Sequence, residues 1–380
     1  AVMKGEFIFH PVGHGLFYSG TIHNNENESF NFIYDIGSMN SETIINAVTD
    51  YTKQLTGDID ILFLSHLDKD HINGLQTLMS QKTVKSIILP FLIFENLVYL
   101  KNKKGNAVCN GIPEIEKSRR KFLSDFYSNP YKYLNDSTND SCKVFFYSSE
   151  NLNEIRLSSD VDDVLKLEEI EKSDDEHIKA FYDSKYTIKK ATNSKYDYSK
   201  IFIVTPPQEA KPIAYKGWFF DVRQPGYMAS HRDKLLNTIK TKIGNTNANN
   251  YVQTVHEIFE KIKSDINNID CITLEHYPSS SNSEANHTLL TGDSSSRKIY
   301  NSETNLLSSG KNYKVVQIPH HGTAIPKKKS IYLTAEYSVV CKKQSDNRRP
   351  NKTTFAEYNK ISTVVVSSEN NAFDYSITIT

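Results

Sequence analysis

Between Ser65 and Leu75 the chain reads SHLDKDHINGL, which sets His66, Asp68, Asp70 and His71, four metal-ligating side chains, within six positions. Imidazole and carboxylate together suit hard or borderline divalent cations, and two ions a few ångströms apart need about this many donors. Ligands so dense cannot share one face of a helix. They fit a loop leaving a strand, where neighbouring side chains converge and Gly74 ends the turn. The apolar run from Ile59 to Leu64 just before it reads as that strand. A polar surface turn is the alternative, but such a turn has no reason to hold four ligands behind an apolar strand.

Two other strands end in the same way. His287 to Thr291 leads to Gly292 and Asp293, and Val315 to Ile318 leads to Pro319, His320, His321 and Gly322. Three strand ends that each deliver a ligand must converge on one edge, which is the strongest non-local sign of a metal site.

The run SHLDKDH resembles the His-x-His-x-Asp-His signature of the metallo-β-lactamase fold, with Asp68 where that signature has its second His. FNFIYDIGS (30–38), LLTGDSS (289–295) and VVQIPHHGT (315–323) resemble the family's other landmarks, in order along most of the chain. PVGHG (11–15), TGD and PHHGT are most similar to the branch holding the β-lactamase-like domain of the bacterial DNA-uptake channel. The resemblance implies an α/β fold, a four-layer αββα sandwich, over one domain of residues 1–380. It implies two divalent ions, zinc or manganese, with magnesium or iron as further options. Asp70, His71 and His320 would hold one ion, His66 and Asp68 would face the other, and Asp293 would bridge them. Asp35 would brace the edge of the site as a hydrogen-bond acceptor, its alternative being a turn-forming Asp.

The third ligand of the ion that His66 and Asp68 would face has no clear counterpart. Asn268 to Cys271 occupies its place, and His276 and His287 are weak substitutes. With Asp68 for His, that position is richer in oxygen and should take manganese, magnesium or iron better than an all-imidazole site does. Two ions sharing Asp293 would generate a metal-bound hydroxide near neutral pH, which Asp70 would orient. His321 would protonate the leaving oxygen, or else brace its loop.

The substrate is read from charge. The whole chain is neutral, with 45 basic and 45 acidic residues, yet residues 311–352 hold ten Lys and Arg against Glu336 and Asp346. Lys327, Lys328, Lys329, Arg348 and Arg349 follow the PHHG loop closely and would attract phosphate, so a phosphodiester in a nucleic acid or nucleotide is the expected substrate. A solvated lysine-rich face is the alternative for this block. Hydrolysis of a lactone, thioester or β-lactam on the same site, and a binding module that has lost turnover, are the competing functions.

Other elements follow from periodicity. Residues 6–22 and 30–36 read as a hairpin with the polar loop His23 to Ser29 at its tip, a helix carries Ile44, Ile45, Val48 and Tyr51, and Gly74 to Ser80 and Ser86 to Leu89 read as a helix and a strand. From 91 to 200 the alternation weakens. That stretch, with eleven acidic against three basic residues at 150–176 and a helix expected at 161–171, reads as an insertion that does not continue the sheet. Strand character returns at 200–204 and 218–222. Amphipathic helices are expected after His231 and over 252–266, with His231 and His256 on the surface.

The 38% hydrophobic content supports a sizeable core, while a mean hydropathy of −0.51 implies a large polar surface. No stretch approaches the roughly 20 apolar residues of a membrane span, so a cytoplasmic protein is expected. Cys109, Cys142, Cys271 and Cys341 lack Cys-x-x-Cys spacing, which argues against a disulfide framework or a cysteine zinc site.

Overall fold

The computed structural model describes residues 3–24, 28–91, 122, 125–126, 129–156, 164–194, 196–224, 271–280, 284–294, 299, 310–325, 331 and 333–379. The chain opens with strands β1 (Met3–Phe9), β2 (Phe17–His23) and β3 (Ser29–Ile36), helix α1 (Ser41–Gln54), strand β4 (Ile59–Phe63), helices α2 (Lys69–Ile72) and α3 (Leu75–Gln81), and β5 (Val84–Pro90). Next come α4 (Pro130–Ser137), β6 (Lys143–Tyr147), β7 (Glu154–Arg156), β8 (Val164–Glu169), α5 (Glu176–Asp183), β9 (Thr187–Thr192) and β10 (Ile201–Thr205). The remainder is β11 (Ile213–Tyr215), β12 (Trp218–Arg223), β13 (Thr273–Pro278), β14 (Thr288–Leu290), β15 (Asn312–Gln317), β16 (Thr334–Cys341), α6 (Lys352–Asn359), β17 (Thr363–Ser367) and β18 (Phe373–Ile379).

These strands form two mixed sheets. One has eleven strands in the order β18-β1-β2-β3-β4-β5-β6-β10-β9-β8-β7, the other seven in the order β11 to β17. Their inner faces meet in an aromatic core, where Phe32 lies edge-on to Phe220 at 5.0 Å and Phe7 meets Trp218 at 5.7 Å. Outside the first sheet, α1, α3 and α4 bury Ile44, Val48, Leu75, Leu78 and Leu134. Outside the second, α6 buries Tyr358. The expected four-layer αββα sandwich is therefore present. Strands β3 to β6 run parallel, as do β14 to β17, and parallel strands buried on both faces need continuous apolar sequence. In β4, Leu62 faces the outer helices while Ile61 and Phe63 face the inner core. Side-chain oxygen on Asn40 caps α1 by accepting from the backbone N–H groups of Glu42 and Thr43.

Two expectations are corrected here. Within the helix expected over 161–171, residues 164–169 instead form β8, antiparallel to β7 and β9. Its Glu and Lys residues favour a helix by propensity, but Glu168 and Glu169 lie opposite Lys190 and Lys189, and such cross-strand charge pairs stabilise a sheet. The stretch 91–200 also continues the first sheet, through β6 parallel to β5 and then through β7, β8 and β9. The expected helix over 252–266, together with His231 and His256, lies outside the described residues. Among the described residues no helix is long and apolar enough to cross a membrane.

Candidate metal centre

The parallel strands place their C-terminal ends on one edge of the sandwich. Asp35 ends β3, the 65–71 loop follows β4, Gly292 and Asp293 follow β14, and the 319–322 turn follows β15. Close backbone contact fixes these loops. A Cβ on Gly37 would sit 2.3 Å from the Asp70 carbonyl carbon and the His71 nitrogen, so only glycine lets the chain after β3 lie against the ligand loop.

Asp35 is fully buried, with a left-handed φ of 57°. Its carboxylate accepts from the Ser65 N–H at 2.6 Å, the Ser65 hydroxyl at 2.5 Å and His71 Nδ1 at 2.7 Å. Because the Ser65 hydroxyl donates to Asp35, it receives the proton of His66 Nδ1, 2.9 Å away. On the other side, His321 Nδ1 donates to the Cys341 carbonyl at 2.8 Å. Each of these three buried histidines thus commits its Nδ1 proton to an outer acceptor, and Nε2 is left as a lone pair.

Those lone pairs meet carboxylates. His71 Nε2 lies 3.4 Å from Asp293 Oδ1 and 4.0 Å from Asp70 Oδ2. His321 Nε2 lies 3.4 Å from Asp70 Oδ2 and 3.5 Å from Asp293 Oδ1. His66 Nε2 is 3.8 Å from Asp68 Oδ2. Nε2 of His66, His71 and His321 and Oδ1 of Asp293 are buried without a hydrogen-bond partner. Buried polar atoms are ordinarily paired, so an orphaned set of this kind, all pointing inward, fits a divalent cation.

Electrostatics lead to the same conclusion. Burial disfavours charge on every member, yet the His321 and His71 charges hold the Asp293 carboxyl well below its usual range, and Asp70 is lowered by the approach of His321 and by the charge of His71. Against the same burial cost, Asp293 and Asp35 raise His71, and Asp293 and Asp70 raise His321. His66, governed by burial and the neighbouring His71, is lowered. The His321 contact with Asp70 is a 3.4 Å approach of Nε2 rather than a formed hydrogen bond, and two ionised carboxylates in so dry a pocket demand positive charge, from protons on imidazole or from a cation in their place.

Of the residues singled out in the sequence, His66, Asp68, Asp70, His71 and Asp293 converge here. The PHHG loop differs in detail. His320 and His321 both take left-handed backbone angles, with φ of 49° and 53°, and the turn sends His321 inward. His320 remains at the margin, its side chain 29% exposed and its Nε2 3.8 Å from Asp293 Oδ2. The inner place expected for His320 therefore belongs to His321. His276 and His287 stand apart from the site: His276 is in the inter-sheet core, hydrogen-bonded to Tyr18 and Trp218, and His287 is 2.7 Å from Glu275.

The basic block does not form one patch among the described residues. Lys327, Lys328 and Lys329 lie outside them, Lys314 pairs with Glu336, Lys342 donates to the Asp346 carbonyl, and the Arg348 side chain is 94% exposed. Arg349 alone of the five expected substrate contacts is seen to approach the cluster, through His14. His14 Nε2 is 3.6 Å from Asp70 Oδ2. Reading for metal spacing missed His14, although PVGHG, a short polar break between two strands, held the signal. His14 also borders a cleft of about 500 Å³ lined by Val12, Gly13, Ser38 to Thr43, Lys343 and Glu369.

No family model and no curated protein matches the sequence. Among solved structures, the chain is similar to a long-form RNase Z from yeast, at 10% identity and a TM-score of 0.34, over 98% of this chain and 41% of that one, so it spans about two fifths of that protein's length.

Proposed function

We propose that this chain is a metal-dependent hydrolase that cleaves phosphodiesters. The observation that carries the reading is the set of three histidines whose Nδ1 protons are committed outward and whose orphaned Nε2 atoms face Asp70 and Asp293. Asp70, His71, Asp293 and His321 would hold one divalent ion, and His66 and Asp68, sharing Asp293, a second. Bound there, such ions would supply the Lewis acidity that polarises a scissile ester and activates water. His321 has only Nε2 to offer, since Nδ1 is engaged, and that atom faces two carboxylates. This supports a ligand's role over an acid's. Asp70, with its Oδ2 at the open side near His14, is the carboxylate placed to orient an attacking water. Phosphodiester specificity is supported by Arg349 beside the cluster.

The test is elemental analysis of the purified chain, then turnover of bis(p-nitrophenyl) phosphate, a phosphomonoester and acyl esters with manganese, magnesium or zinc. The reading expects at least one tightly held ion, preference for the diester, and a loss of more than about 100-fold in Asp293→Ala with unfolding otherwise near that of the parent. A chain holding well under one ion under all three metals, or retained turnover in Asp293→Ala, would overturn it. Preferred acyl turnover would keep the metal centre and replace the substrate.

A further inference from the structure

We infer that His14 and Arg349 form the anchoring corner of the pocket, where the non-reacting oxygens of a phosphate are held beside the metal ligands. His14 is fixed there by the chain around it. Its carbonyl accepts from the Met39 N–H at 2.7 Å, and the Leu16 N–H donates to the Asp70 carbonyl at 3.2 Å. Gly15, with φ of 149°, leaves no room for a Cβ, which would come within 2.4 Å of the Gly37 oxygen. The β1–β2 loop is thereby clamped to the ligand loop. The His14 ring lies 4.3 Å from that of His321.

Arg349 arrives from the opposite side. The Asn351 N–H donates to the Gly322 carbonyl at 2.8 Å, and a Cβ on Gly322 would meet Pro350 at 2.5 Å, so the segment carrying Arg349 is tied to the turn that carries His321. Arg349 Nη1 lies 3.1 Å from His14 Nε2 and 3.2 Å from Nδ1, and its Nε is 4.0 Å from Asp346 Oδ2. A guanidinium presents five N–H donors. Within the described residues those of Arg349 meet a neutral ring and one distant carboxylate, so the group stands one imidazole away from Asp70 with most of its donors available to an anion.

A guanidinium against both ring nitrogens also opposes a metal ion on His14 by charge repulsion, which makes His14 a substrate contact rather than a ligand. Planar bidentate donation from Arg matches phosphate geometry. The cleft on the outer side of His14 would take the rest of the substrate. The assignment of a phosphate ester rests on the phosphodiesterase reading above; the anion corner itself does not need turnover.

The experiment uses the manganese-loaded chain with inorganic phosphate as the probe, followed by calorimetry, alongside Arg349→Ala, Arg349→Lys and His14→Ala. Expected are unchanged manganese stoichiometry and unfolding midpoint in all three, phosphate binding weaker by about 10- to 100-fold in Arg349→Ala and His14→Ala, and partial recovery in Arg349→Lys. The salt dependence of phosphate affinity should flatten in Arg349→Ala, and KM for the diester should rise with the phosphate dissociation constant. Parent-like phosphate affinity in Arg349→Ala, or loss of manganese in His14→Ala, would overturn the corner. If the parent binds phosphate through Arg349 yet cleaves no diester, the corner stands and the phosphodiesterase reading fails.

Discussion

Asp35→Asn should separate the metal from the fold. Asn keeps the shape of Asp and tolerates the left-handed φ of 57° at this position. Its carbonyl oxygen can still accept from the Ser65 N–H, as Oδ1 does at 2.6 Å. The amide nitrogen then replaces Oδ2, which now accepts from the Ser65 hydroxyl at 2.5 Å, a rotor that can turn a lone pair to the amide, and from His71 Nδ1 at 2.7 Å. Two donors would face each other there. His71 escapes by turning its lone pair to the amide, which moves its proton to Nε2, the atom 3.4 Å from Asp293 Oδ1 that a cation needs. Loss of an outer hydrogen bond to a ligand weakens metal binding by about 10- to 100-fold, or about 1.4 to 2.7 kcal/mol. Stability without metal should fall by about 1 to 3 kcal/mol, two exchanged buried hydrogen bonds. Asp35→Ala, which strands the Ser65 N–H and hydroxyl as well, should cost about 3 to 5 kcal/mol. Calorimetric titration with manganese and zinc, beside urea unfolding of the chelated protein, reads both quantities. Parent-like metal affinity in Asp35→Asn would refute the tautomer argument.

Two more predictions follow. Asp68→His should raise zinc affinity relative to manganese by adding an imidazole to an oxygen-rich position, and an unchanged metal preference in competition dialysis would show that the side chain at 68 does not reach the ion. Burial lowers the pKa of both His10 and His276 to about 3. An unfolded histidine titrates near 6.5, so the stability these neutral rings contribute is complete above that pH and is lost as pH falls toward 3. Each should cost about 2 kcal/mol between pH 7 and 5, and His276→Gln should remove about half of that combined slope in urea melts at the two pH values. A slope untouched by the substitution would place the acid sensitivity elsewhere.

The sequence was most legible where local pattern and tertiary role agree. Ile59 to Leu64 is apolar but for Asp60, which accepts from the Asn31 N–H and pairs with Lys85, because β4 is buried on both faces, and the densely spaced ligands after it had to leave a strand end. The β8 segment was misread because its charges are satisfied by Lys189 and Lys190, twenty or more residues away, and helix propensity carries no trace of such a partner. The choice between His320 and His321 turns on two left-handed backbone angles in consecutive non-glycine residues, which their residue types do not announce. His14 was hidden for a related reason: its distance from the ligands along the chain is closed only by the pairing of β1 with β2 and the contact of Gly15 with Gly37. The charge of the 311–352 block was visible, but its local partners were not. Glu275, outside the block, pairs with Lys311, and Lys342 is turned to the Asp346 carbonyl, so counting charge within the block overstated the field at the site.

The edge of the larger sheet sets the order in which the protein can be made. Strand β1 is synthesised long before β18, one of its two neighbours, to which it pairs over seven residues from Met3 with Ile379 to Phe9 with Phe373. Until β18 has been translated, β1 presents an unpaired row of backbone donors and acceptors, the kind of surface on which chains join edge to edge. Such a distant pairing also slows refolding, since a loop of almost the whole chain must close before the contact forms. Recovery from denaturant should therefore decline with protein concentration, and fragments ending just before Phe373 should collect in aggregates during expression even though they retain the whole candidate ligand set.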